Sequence, residues 1–147
     1  MSASSRWRSW KRRPEVDKVS AYQPQLLSVL RIISGLLQLQ QGTAKVLGFP
    51  AVEGVPPPGL SLPGLSGPLE LVLGALLVLG LFSRPAAFLA AGFCAVGYWM
   101  VHGMQSFFPI LNGGETIALY CFVFLCLMAA GPGPWSVDAM MGKKAPA

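Results

Sequence analysis

Charge is what this chain has little of. Of its 147 residues only 12% are Asp, Glu, Lys or Arg, six of them acidic, against 53% apolar residues. One histidine is present, so a single copy offers no pair of axial imidazoles for haem. Cys94, Cys121 and Cys126 form no Cys-x-x-Cys motif and fall inside apolar runs, where thiols are expected to be buried, reduced and inert. No grouping of His, Cys and carboxylates has metal-site spacing, and no glycine-rich loop stands in the strand-turn-helix context that phosphate binding needs. Independent redox chemistry would therefore require a cofactor for which the chain shows no ligands. No firmly bound cofactor and no metal are expected.

The apolar residues are concentrated in four runs, at about 26–48, 67–83, 85–104 and 114–131. Roughly 20 apolar residues in a helix cross the hydrocarbon core of a bilayer. The expected fold is all-α, a bundle of four transmembrane helices, within a membrane domain over 26–138 flanked by tails at 1–25 and 139–147. A soluble bundle would have to bury these helices on every side, for which so short a chain has too little interior. Residues 1–18 are polar and charged, and the first run is long and lacks a small-residue cleavage site. No cleavable signal peptide is expected, and the first helix should persist.

Basic residues are absent from the segments 49–66 and 105–114. They lie instead before the first run (Arg6, Arg8, Lys11, Arg12, Arg13, Lys18), in the turn between the second and third (Arg84), and after the fourth (Lys143, Lys144). The positive-inside rule then places both termini in the cytoplasm. Trp7 and Trp10 interleaved with Arg8, Arg12 and Arg13 suit a segment in contact with anionic lipid or a partner subunit. Charge placed for topology in this way gives no reason to expect nucleic acid as a partner. The loop over 54–68 is rich in proline and glycine and is expected to be irregular and extended, while Phe107 and Phe108 suit an interfacial anchor.

Within the runs the polar residues are ordered. Arg31, Gly35, Gln38, Gly42 and Lys45 are spaced 4, 3, 4 and 3 apart, on one helix face, and Glu70, Gly74, Leu77, Leu81 and Arg84 repeat the spacing. Packed antiparallel, these helices would bring Lys45 level with Glu70 and Arg31 level with Arg84, with Gly35, Gly42 and Gly74 permitting close approach. Phe88, Gly92, Ala95, Trp99 and His102 make a third stripe, and Glu115 opens the fourth run. Two clusters follow. An outer one of Lys45, Glu70, His102 and Glu115, with Gln38 nearby, is a candidate ligand or proton site, because ionisable groups inside a membrane are costly and mark function. An inner one of Arg31, Arg84 and Asp138 reads as a salt-bridge clasp tying the cytoplasmic helix ends together.

Leu30-Arg31 through Gly35, Gly42 and Lys45, Glu70 with Gly74 and Gly80, Arg84-Pro85-Ala86, Glu115, and the ending Gly131-Pro132-Gly133 with Ser136, Val137 and Asp138 together resemble the DoxX family of small bacterial membrane proteins. The likeness extends over about residues 26 to 138. It implies a four-helix bundle in the bacterial inner membrane. The family is functionally mixed, with relatives linked to the membrane subunit of thiosulfate:quinone oxidoreductase and to complexes of oxidative-stress and sulfur redox chemistry. The basic Trp-containing tail and the Pro-rich first loop depart from its usual pattern. Three readings follow: an accessory or anchoring subunit of a larger membrane redox complex, without its own cofactor; a quinone-interacting oxidoreductase subunit, the outer cluster holding the headgroup; and passage of a small solute or proton through a homo-oligomer. Other membrane subunits, anionic lipids and further copies of the chain are the expected partners, and quinone is the candidate small ligand.

Overall fold

The computed structural model describes residues 18–54, 59 and 61–142, and only the backbone at Leu62 and Pro63. Trp7, Arg8, Trp10, Arg12 and Arg13 lie outside the described residues. Helices, and no strands, make up the regular structure of the described residues. They are α1 (Gln23–Leu47), α2 (Leu62–Leu79), α3 (Ser83–Gly97), a π-helical continuation of α3 (Tyr98–Gly103), the single turn α4 (Pro109–Asn112), α5 (Glu115–Ala130) and the single turn α6 (Val137–Met140).

The helix boundaries follow local chemistry. Pro24 sits in the first turn of α1, where its missing N–H costs nothing, and Gly48 ends the helix at φ +68°. Five residues earlier than expected, α2 begins inside the Pro-rich loop. Ser61 caps it by accepting the Gly64 N–H at 3.2 Å, and Pro63 falls in the first turn, so proline here starts a helix instead of preventing one. Pro68 lies within the helix, early enough to remove only a single bond of its second turn. Gly80, at φ +69°, ends α2, and a tight turn leads into α3.

Two helix pairs carry the packing: α1 against α2, and α3 against α5. In the first, a Cβ at Gly74 would stand 2.5 Å from the Leu39 amide nitrogen, one at Gly35 would stand 2.9 Å from the Val78 nitrogen, and one at Gly42 would collide with the backbone at Leu71. Those contacts set an antiparallel register with the two backbones touching, as the glycine spacing predicts. In the second pair, Ala86, Ala87, Ala90, Ala91 and Cys94 of α3 form a flat face that receives Phe124 and Leu127 of α5, with Leu73 and Leu77 of α2 completing a small apolar core. This corrects the stripe expected on α3. Phe88, Gly92 and Trp99 point outward, because the bulky residues of α5 demand small partners and the alanines supply them.

The remaining surface is inverted relative to a water-soluble bundle. On α1 the buried residues are Ser28, Arg31, Ser34, Gly35, Gln38, Gly42 and Ala44, while Val29, Leu30, Ile33, Leu36 and Leu37 are exposed. Phe88, Leu89 and Val96 of α3 and Leu119 and Phe122 of α5 continue the exposed apolar belt. Among the described residues one helix, Ser83–Gly103 with 21 residues, is by itself long and apolar enough to cross a membrane; Gly64–Leu79 and Glu115–Ala130 are apolar but shorter. The length of α1 suffices, but Arg31, Lys45 and five glutamines lower its hydropathy.

Candidate functional site

The two ends of the bundle are built differently. At the proximal end, where α1 and α3 begin and α2 and α5 finish, Arg31 is completely buried at 0% exposure. Its Nε donates to the Pro132 carbonyl at 2.8 Å and its Nη1 to the carbonyls of Leu77 and, at 2.9 Å, Val78, while Nη2 donates to that of Trp135. The guanidinium thus sits on the C-terminal turn of α2, where the helix dipole is negative, and on the chain that leaves α5. Gly80 makes the room: a Cβ there would lie 2.9 Å from the guanidinium carbon. Ser28 assists, accepting the Trp135 N–H at 3.2 Å.

Arg84 and Asp138 serve neighbouring helix ends. Arg84 donates to the carbonyls of Met128 at 2.8 Å and Ala129 at 3.0 Å, the last turn of α5. Asp138 accepts the N–H groups of Phe82 at 3.1 Å and Ser83 at 2.8 Å, the first of α3, and its own N–H donates to the Gly80 carbonyl at 3.0 Å. Arg31, Arg84 and Asp138 therefore meet at one end, as the spacing suggested, but their bonding is to helix ends more than to one another. Each charge lies where the dipole of the helix end it touches has the opposite sign. Phe82 adopts φ +48°, a left-handed conformation uncommon for a bulky residue, and the Asp138 carboxylate holds its N–H there.

At the distal end, Lys45 and Glu70 form an ion pair with Nζ 2.7 Å from Oε2 and 2.8 Å from Oε1. Lys45 also donates to the Ser66 hydroxyl at 3.0 Å. Glu70 is 6% exposed, whereas the Lys45 side chain keeps 21% of its surface open. Gln38, two turns along α1, is buried with its Nε2 donor unpartnered.

His102 and Glu115 make no hydrogen bond or ion pair with Lys45 or Glu70. The π-helical turn swings His102 toward α4, where its Nδ1 lies 2.7 Å from the Asn112 carbonyl. Because a carbonyl only accepts, Nδ1 carries a proton. The ring stacks on Tyr98 at 6.4 Å. Asn112, buried, donates to the Ser106 carbonyl at 2.8 Å and to the Tyr98 hydroxyl at 3.3 Å, and accepts the Gly114 N–H. Glu115 is exposed in the first turn of α5, a favourable place for an acid, and makes no ion pair with Lys45. The expected four-residue cluster is thus one ion pair and two separate residues. Asn112 is the organising residue of this loop. Of the cysteines, Cys94 is buried, Cys121 half-buried and Cys126, against expectation, exposed on the apolar surface; all three are free thiols.

The DoxX family model matches residues 26–103, which hold α1 apart from its first three residues, α2, and all of α3 with Arg84 in its first turn. The chain belongs to the DoxX family. A protein of Haemophilus influenzae described as uncharacterized is 36% identical over 134 residues, covering 88% of this chain and all of the relative. An Escherichia coli protein named inner membrane protein YqjF is 27% identical over 128 residues, covering 79% of this chain and 92% of the relative. No solved structure matches this DoxX chain. The family match ends before α5, so Glu115 and the Gly131 to Asp138 segment lie beyond it.

Proposed function

We propose that this DoxX chain is a four-span protein of the inner membrane, with both termini cytoplasmic, that serves as an accessory or anchoring subunit of a larger membrane redox complex. The observation that carries the membrane part is the inverted burial of α1: Arg31, Gln38 and Ser28 inside, leucine, isoleucine and valine outside. In water that arrangement would expose the apolar face and desolvate a charge; in lipid it does the reverse. The E. coli relative named as an inner membrane protein supports the same location. The absence of Lys and Arg from the segments 49–66 and 105–114 supports the orientation.

Support for an anchoring role, over chemistry of its own, comes from how the buried charges are used. Arg31 is spent on backbone carbonyls and Glu70 on Lys45, so both act as structure. What remains for recognition is the apolar belt and the basic residues that the sequence carries before α1. Purification from the native host in mild detergent, followed by mass spectrometry, tests the reading. Stoichiometric recovery with a cofactor-bearing complex is expected. A homogeneous particle of this chain alone would contradict it.

The quinone-interacting reading rests on a separate observation, the buried unpartnered Nε2 of Gln38, two turns along α1 from a lysine that is still partly open. A carbonyl oxygen is what such a donor lacks. Extraction of the purified protein for quinones tests it, and Gln38→Leu should lower the recovered quinone if the amide holds it.

A further inference from the structure

Among the described residues, a strongly exposed apolar surface lies not on the long helices but on the distal connection between α3 and α5, which includes the single turn α4. Met104, Phe107, Phe108, Ile110 and Leu111 are each exposed, Met104 and Phe107 at 86% and 80%. They form one contiguous stretch without a charge: no Asp, Glu, Lys or Arg occurs between residues 85 and 114.

The loop is prepared for an environment without water. Its N–H groups at Gln105, Leu111, Asn112 and Gly114 donate to the carbonyls of His102, Phe108, Phe108 and Pro109, and that of Phe108 to the Ser106 hydroxyl. Pro109 has no N–H to satisfy. Asn112 pulls the polar groups inward, bonding the Ser106 carbonyl and Tyr98 hydroxyl, and His102 holds the Asn112 carbonyl. Apolar side chains face outward while these N–H groups are bonded within the loop, which lowers the cost of bringing such a chain out of water and into the polar edge of a bilayer. Helix lengths point the same way. α3 with its π-helical extension has 21 residues, roughly 31 Å, whereas α5 has 16, roughly 24 Å, against a hydrocarbon core of about 30 Å. α5 falls short, and the loop that precedes it covers the deficit.

We propose that Met104–Leu111 is a membrane-inserted cap, its five apolar side chains entering the lipid at the distal leaflet and completing the short α5 span. The occupant of this surface is lipid, continuous with the belt formed by Phe88, Leu89 and Val96. The inference rests on the membrane reading, so the test separates the two. In the full-length chain, with the three cysteines replaced by alanine and reconstituted in lipid vesicles, single cysteines at Leu89, Glu53 and Phe107 or Ile110 are nitroxide-labelled. Collision with oxygen and with a water-soluble nickel chelate is then measured. Leu89→Cys reports the span, and Glu53→Cys the aqueous loop at the same end. The expected result is loss of nickel accessibility at 107 and 110, as at 89, with nickel accessibility retained at 53. Nickel access at 107 and 110 with exclusion at 89 would overturn the cap and leave the membrane reading intact. Nickel access at 89 would overturn both. Exclusion of oxygen and nickel together at 107 and 110 would overturn lipid as the occupant, since it marks burial against protein. Should the cysteine-free background not fold, Phe107→Trp in the native chain gives the same readout. Quenching of the added fluorescence by lipids brominated near the headgroup supports the cap, and its absence overturns it.

Discussion

Lys45 and Glu70 illustrate how a charge is kept inside an apolar helix. Each alone would cost several kcal/mol, and at 2.7 Å each neutralises the other. Glu70→Ala is therefore expected to destabilise the protein by about 3 kcal/mol, the low end for breaking a buried pair, because Lys45 can still reach the surface. Replacing both, Lys45→Met with Glu70→Leu, should restore most of that loss. Unfolding by SDS in mixed micelles measures both variants. A double variant as unstable as the single one would show that the pair does more than cancel charge. Arg31 presents a different case, with four carbonyls around one planar group. Arg31→Lys keeps the charge but offers donors from a single nitrogen, so it should unfold at lower SDS than the parent chain, by about 1–3 kcal/mol for each carbonyl left without a donor.

At the scale of elements, glycine position decides which helices touch. Gly74→Ala places a methyl 2.5 Å from the Leu39 nitrogen and has only backbone to displace, so a loss of about 1–3 kcal/mol is expected. Gly92→Ala meets nothing within 4 Å and should gain up to about 1 kcal/mol from helix propensity. The same unfolding assay distinguishes them, and equal effects would contradict the packing described. These contrasts also show what the sequence made legible. The α1 and α2 stripes, at intervals of three and four with glycine in register, were readable because a charge and a glycine each force a helix face toward protein. The α3 stripe was not, because alanine carries no strong preference and its five-residue face becomes visible only when Phe124 and Leu127 are set against it. The partners of Arg31 were hidden for another reason. Every residue has a carbonyl, and nothing in Pro132 or Trp135 marks theirs as the ones that bend back. His102 was misplaced because a π-helical turn breaks the 3.6-residue period on which the stripe was built.

For the molecule as a whole, the segment after α5 is the closing piece. It supplies the Pro132 and Trp135 carbonyls to α1, Trp135 N–H to Ser28, and the Asp138 carboxylate to the start of α3. In the full chain, Arg31→Met is expected to destabilise, since carbonyls lose their donor. In a chain ending at Gly131 the sign should reverse, because the arginine is then buried with half its acceptors gone and methionine relieves it. A methionine that destabilises both forms equally would contradict the clasp.

The proposed topology puts the loops at one face of the membrane and the chain ends at the other. The most direct measurement is labelling with a membrane-impermeant maleimide in intact spheroplasts of chains carrying Glu53→Cys or Lys18→Cys. The account predicts that the cysteine at 53 reacts at once and the one at 18 only after the membrane is opened. Reaction of both from the same side, with or without opening, would contradict it.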